Sequence, residues 1–184
     1  MQYTPPFFNI KNMACTTLEN IAKGCDGNLG GIVAVYINDQ ANVTAVTEVD
    51  ATWLVTAITA TPDYEVFEFR RNTGNYTEDS AIDLVNGSSF VTATINLMFS
   101  RREAAVSRAI KILGEGQRDL SVIVKDANGK YWYFPYAQVS ATGEGSGTAK
   151  ADGSKYSVTF VGEATEYSWE ASLATLQSFD STLF

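Results

Sequence analysis

The amino-acid sequence predicts a mainly β fold of the α+β kind, a β-sandwich or partly closed β-barrel with one packed α-helix at about residues 100–113. Three observations carry that expectation. Short runs of β-branched and aromatic residues recur along the chain, punctuated by Gly, Asn, Asp and Pro. Only one segment changes to the spacing of an amphipathic helix. The length of 184 residues is enough to bury a sizeable core without metals or disulfides. The chain divides into an irregular N-terminal arm, 1–29, rich in Asn, Thr and Gly, and one β domain, 30–184.

Within the arm a short helix is expected around Leu18 to Ala22. GGIVAVYI (30–37) has the composition of a buried strand and ends at Asn38-Asp39, residues 40–51 read as a long polar connection, and TWLVTAITA (52–60) resumes strand character until Pro62. In YEVFEFRR (64–71) apolar and acidic residues alternate imperfectly, as in a half-buried strand. Residues 72–89 hold turn chemistry at Thr73-Gly74-Asn75 and Asn86-Gly87, with a short strand or hairpin arm between. SFVTATINLMF (89–99) is a long strand whose core face is Val91, Ala93, Ile95, Leu97 and Phe99.

The helix comes next. Ser100 and Glu103 have the spacing of a capping box, Val106, Ala109, Ile110 and Leu113 form an apolar stripe, and Gly114 sits where helices end. Its polar face carries Arg101, Arg102, Arg108 and Lys111, either a solvated surface or partners for a carboxylate-rich neighbour. DLSVIVKDANGKYWYFPYAQVS (119–140) is a hairpin turning at Asn128-Gly129, YSVTFVGEA (156–164) a further strong strand, and EYSWEASLAT a weaker last one. The count is about eight strands and one helix.

Composition narrows the chemistry. The chain has no histidine, which removes histidine-based nucleophile pairs, histidine general bases and His-ligated metal sites. Cys15 and Cys25 are too few for an all-Cys zinc site and read as a reduced pair rather than a bridge. No apolar run is long enough to cross a bilayer, so no membrane anchor is expected. Net charge is −8, unevenly spread: residues 101–140 hold seven Lys/Arg against four Asp/Glu, and the other 144 residues six against seventeen. A chain with that balance should not grip nucleic acid, whose affinity comes chiefly from cations on phosphates.

The run ATGEGSGTAKADGSKYSVTFVGEATE (141–166) places Gly143, Gly145 and Gly147 at alternate positions. It fails as a phosphate cradle, because Gly147 is followed by Thr-Ala-Lys and then a strand, with no helix to present its N-terminal amides. A connection between strands is expected instead, its glycines giving mobility or positive φ. YWYFPY (131–136) offers flat rings for a sugar, with Tyr131 and Tyr133 on one face and Trp132, Phe134 and Tyr136 on the other, one set being core. The carboxylate pairs Glu65/Glu68 and Glu78/Asp79 have the spacing of surface charge. Association through strands remains, and no catalytic residue, metal or cofactor is expected.

The order of these elements resembles the tail tube (major tail) proteins of bacteriophages over roughly residues 30–170. The likeness is carried by a strand, D-x-N-G, an aromatic strand, a glycine loop, D-G and Y-x-V-T, matched here by Asp126, Asn128, Gly129, Tyr131, Gly145, Gly147, Asp152, Gly153, Tyr156, Val158 and Thr159. The resemblance implies a virion structural protein made in the bacterial host cytoplasm. Its subunits, commonly six to a ring, join their sheets edge to edge. The rings stack into a tube whose lumen passes genomic DNA without specific binding, and other virion tail proteins are further partners. The expected subunit contacts are Gly143, Gly145, Gly147, Asp152, Tyr131, Tyr133, Arg101 and Arg102. Gly143 to Gly153 should be exposed in a lone subunit, and both 38–51 and 72–89 qualify as the segment reaching toward the next ring. A head-tail connector or ring subunit, or a carbohydrate-binding β-sandwich, is the alternative.

Overall fold

The computed structural model describes residues 20, 21 and 23–172. Most of the expected N-terminal helix, Cys15 and its pairing with Cys25, and the end of the last expected strand lie outside them. The strands are β1 (Ile32–Asp39), β2 (Val43–Val49), β3 (Leu54–Ala60), β4 (Glu65–Glu68), β5 (Gly74–Asp83), β6 (Ser88–Ser100), β7 (Leu120–Asp126), β8 (Tyr131–Gly145), β9 (Lys155–Ala164) and β10 (Trp169–Ala171); the helix α1 is Ala104–Gly114. The fold is mainly β with one helix, its sheet curled into a partly open barrel.

Two sheets share one long strand. The first runs β2-β3-β10-β8-β7-β1-β4 and the second β5-β6-β9-β8. Within β8, residues up to Ala137 pair with β7 and those from Gln138 with β9. The chain bends at that handover, where Gly162 of β9 lies against the Tyr136 carbonyl so closely that a Cβ would overlap it. Only glycine admits two backbones at that approach.

The main core fills the space between the sheets. Val91, Ala93, Ile95, Leu97 and Phe99 of β6 are all buried, as their alternation predicts, and meet Tyr156, Val158 and Phe160 of β9, Val122 and Val124 of β7, and Val35 and Ile37 of β1. A second core covers the other face of the first sheet: Tyr36, Ile123, Tyr131 and Tyr133 pack against Val55, Ile58 and Ala60 of β3, with Tyr64 between. Strands β1 and β7 are thus buried on both faces, which explains their near-continuous apolar sequences. Inside this core the Tyr64 hydroxyl is paired, lying 2.6 Å from Ser121 Oγ.

Three sequence expectations change. Residues 43–49, read as connection, form β2, an edge strand whose valines are three residues apart, with Val43 and Val46 half-buried and Val49 exposed. The helix begins at Ala104 instead of Ser100, and no capping box forms: Ser100 belongs to β6, and the Glu103 side chain makes no cap bond. The Tyr156 hydroxyl replaces it, accepting from the Glu103 N–H at 3.0 Å and lying 2.6 Å from Ser107 Oγ. Ile110 is buried and Val106 and Leu113 are half-buried, but Ala109 faces out. Third, Gly143 and Gly145 are strand residues of β8, paired with Ser157 and Lys155 of β9.

Candidate assembly surfaces

Among the described residues, the second sheet has two open edges. Strand β5 pairs with β6 from Gly74 opposite Leu97 to Asp83 opposite Ser88, and no strand among the described residues lies on its other side. At the far side of the sheet, Gln138 to Gly145 pair with β9 and present an unpaired edge outward. Open edges of this length leave rows of backbone donors and acceptors that readily take a further strand. The outer face between them is mostly polar. Thr92, Thr94, Asn96 and Met98 of β6 stand opposite Glu163, Val161, Thr159 and Ser157 of β9, and Thr159 Oγ1 donates to Asn96 Oδ1 at 3.0 Å.

Past the last β6–β9 pair, Val91 with Ala164, β5 and β6 continue alone as a hairpin arm. Every residue from Ala81 to Phe90 is exposed. The tip is apolar: Leu84 and Val85 are 91% and 93% exposed, and Ile82 and Phe90 lie just behind them. It is also held in shape. Asp83 accepts the N–H of Val85 at 2.8 Å and of Asn86 at 3.1 Å, and the Asn86 side-chain amide at 2.5 Å, while Gly87 takes positive φ and donates to the Asp83 carbonyl. Hydrogen bonds from Asn86 and Val85 hold the Asp83 carboxyl below its ordinary range. Each large apolar side chain here would gain about 1.5–3 kcal/mol on full burial. This arm is the 72–89 segment expected to reach outward; 38–51 instead contains β2, folded onto β3.

The opposite end of the same strands is basic. Beyond β8, residues 146–154 fold back tightly to β9. Gly147 takes φ +72°, and Asp152 accepts the N–H groups of Thr148 and Ala149 at 2.9 and 2.8 Å, which lowers its pKa. Arg101, at φ +68°, donates its N–H to the Ser154 carbonyl at 2.7 Å, and its guanidinium meets Glu103 at 3.0 Å. Arg102 pairs with Glu144 at 2.8 Å. An open cleft of about 330 Å³ lies here, between Arg70, Met98, Arg101, Asp152, Ser154 and Lys155.

The residues singled out from sequence therefore separate into two places. Gly143, Gly145, Gly147, Asp152, Arg101 and Arg102 gather at the basic end, all exposed except half-buried Gly145. Tyr131 and Tyr133 do not join them: at 4% and 2% exposure they belong to the second core, so neither offers a ring face to a partner or a sugar. Phe134 is buried too, on the opposite face. Exposed aromatic surface lies instead at Trp53, which stacks on Trp169 at 5.0 Å. The carboxylate pairs do not converge, since Glu78 bonds the Ser168 N–H and hydroxyl while Asp79 faces solvent. The apolar arm tip was missed, although D-L-V-N-G sets two large apolar residues inside a turn, where polar ones are the rule. No protein-family model matches this chain, and no curated protein matches its sequence.

Proposed function

We propose that this protein is a structural subunit that assembles by edge-to-edge pairing of its second sheet, and that the assembly is the ring of a phage tail tube. The carrying observation is that, among the described residues, one four-stranded sheet has open edges on both sides, β5 and residues 138–145 of β8. Pairing the β5 edge of one copy with the β8 edge of the next is a head-to-tail contact, which closes into a ring where the rotation per subunit allows. Closure satisfies every edge in that sheet. The polar outer face of β6 and β9 then lines the lumen. Between its ends this face offers hydroxyls and amides with Met98 and Val161, and its β6–β9 cation, Lys155 opposite Ser100, stands at the basic rim, so passing DNA finds little to bind, because phosphate affinity needs cations.

On this reading the chain works in the virion tail beside other tail proteins and performs no catalysis. Electron microscopy and light scattering of the purified chain test it. Rings, or tubes of stacked rings, are the expected result; a strict monomer at high concentration, with no ring beside tail partners, would sink the proposal.

A further inference from the structure

The charges of the second sheet are sorted along its strands. Residues 74–97 and 156–172 contain no Lys or Arg, and their Asp79, Asp83, Glu163 and Glu166 cluster toward the arm end. At the other end stand Arg70, Arg71, Arg101, Arg102, Lys150 and Lys155, six of the thirteen cations of an otherwise acidic chain. The β6–β9 ladder from Val91/Ala164 to Ser100/Lys155 separates the two ends by roughly 30 Å. The basic end is also concave. Arg70 and Lys155 border its cleft, and neither comes within ion-pair distance of a carboxylate among the described residues. The one carboxylate lining the cleft, Asp152, is engaged by the amides of its own turn.

Two cations without an ion-pair partner, Lys155 feeling only the nearby charge of Asp152, suit further carboxylates in that concavity, and the molecule carries exposed carboxylates at the far end of the same strands. The geometry points to end-to-end docking of copies, in which the cleft bordered by Arg70 and Lys155 receives the acidic arm end of a second copy, Asp79 and Glu163 foremost. The inference rests on the ring reading for its setting, and it gives the stack a direction: each layer presents an acidic end to the basic end of the next. Opposite charge steers the encounter, like charge rejects the inverted orientation, and the apolar tip at Leu84 and Val85 becomes buried alongside.

The test uses the full chain, with stack length read by electron microscopy and sedimentation. The unaltered protein is compared with Arg70→Glu/Lys155→Glu, with Asp79→Lys/Glu163→Lys, and with an equimolar mixture of the two variants. All four positions are outside the core, and circular dichroism checks that each variant folds. Each variant alone should stack at least about tenfold more weakly, and the mixture should recover stacking, because each partner then meets its opposite. Stacking by either variant alone at the unaltered level overturns the inference and leaves the ring reading standing. So does a cleft variant that stacks normally but loses binding of a single-stranded oligonucleotide held by the unaltered chain, since the cleft would then serve phosphate. If the unaltered chain forms no rings, the ring reading falls. End-to-end pairing by the unaltered chain and by the mixture, but by neither variant alone, would still support the docking, and its absence would overturn it.

Discussion

Replacing Gly162 by alanine strikes the point where β8 leaves one sheet for the other. The added methyl would overlap the Tyr136 carbonyl oxygen and lie 3.3 Å from its carbonyl carbon and 3.5 Å from Ala137 Cα, all backbone atoms that no rotamer change can move aside. The strands must part by on the order of 1 Å to restore ordinary contact. Overpacking of this kind costs about 1–3 kcal/mol, and loosening a flanking ladder bond, such as those between Ala93 and Gly162 or Gln138 and Val161, about 1 kcal/mol more. Alanine reduces the freedom of the unfolded chain, which offsets about 0.4–1 kcal/mol. The net loss is about 1–4 kcal/mol, a fall in Tm of about 2–16 °C for a chain of this size. Thermal melts and urea titrations measure it, with Gly145→Ala as control, because nothing lies within 4 Å of a Cβ there. The control should stay within about 0.5 kcal/mol. A Gly162→Ala protein as stable as the control would refute the claim that close backbone approach sets the bend. The same variant should assemble poorly even below its Tm, since the bend orients the β8 edge relative to the rest of the subunit.

Tyr156→Phe removes the hydroxyl that serves the start of α1, leaving the Glu103 N–H without its partner; a loss of about 1–3 kcal/mol is expected, with hydrogen exchange of the first helical turn rising first. Unchanged exchange there would disprove that anchoring role. Leu84→Asp/Val85→Asp should leave the subunit's melting unchanged, because both side chains are already in water, while reducing stacking at least about tenfold; normal stacks would show that the tip is not buried by a partner. Burial raises the Tyr64 phenol from 10.0 to about 12, so its neutral form stabilises the fold fully below pH 10 and that contribution is lost as pH climbs from 10 through 12. Urea midpoints should be level up to pH 10 and fall beyond it, with Tyr64→Phe flattening part of the fall; an unaltered slope in that variant would refute the assignment. A glycan array should be silent. Binding that Trp53→Ala abolishes would revive the carbohydrate reading at a different place from YWYFPY.

Alternation and turn chemistry were enough to recover β1, β6, the β7–β8 hairpin and β9, because their inward residues are apolar and their turns hold glycine at positive φ, as at Gly129. What was misread depends on tertiary structure. Ala141 to Gly145 have poor strand propensity and form strand because β9 supplies a ladder, so a glycine run that looked like a linker is half edge and half tight turn. The Ser100-x-x-Glu103 spacing was genuine, but a strand claimed Ser100 and a tyrosine 53 residues beyond Glu103 took the cap. Tyr131 and Tyr133 looked available because period-2 reasoning allows a strand one exposed face, whereas the curl of the first sheet covers both faces of β8 at its start. Which edges remain open is a property of topology alone, and so the candidate assembly surface was only partly legible.

The most direct test of the central claim is a cryo-electron microscopy map of the assembled particle at a resolution that traces strands. The account predicts rings in which β5 of each subunit runs beside residues 138–145 of its neighbour, with the β6–β9 face toward the lumen. Rings joined through β2 or β4 instead, or a lumen lined by another face, would contradict it.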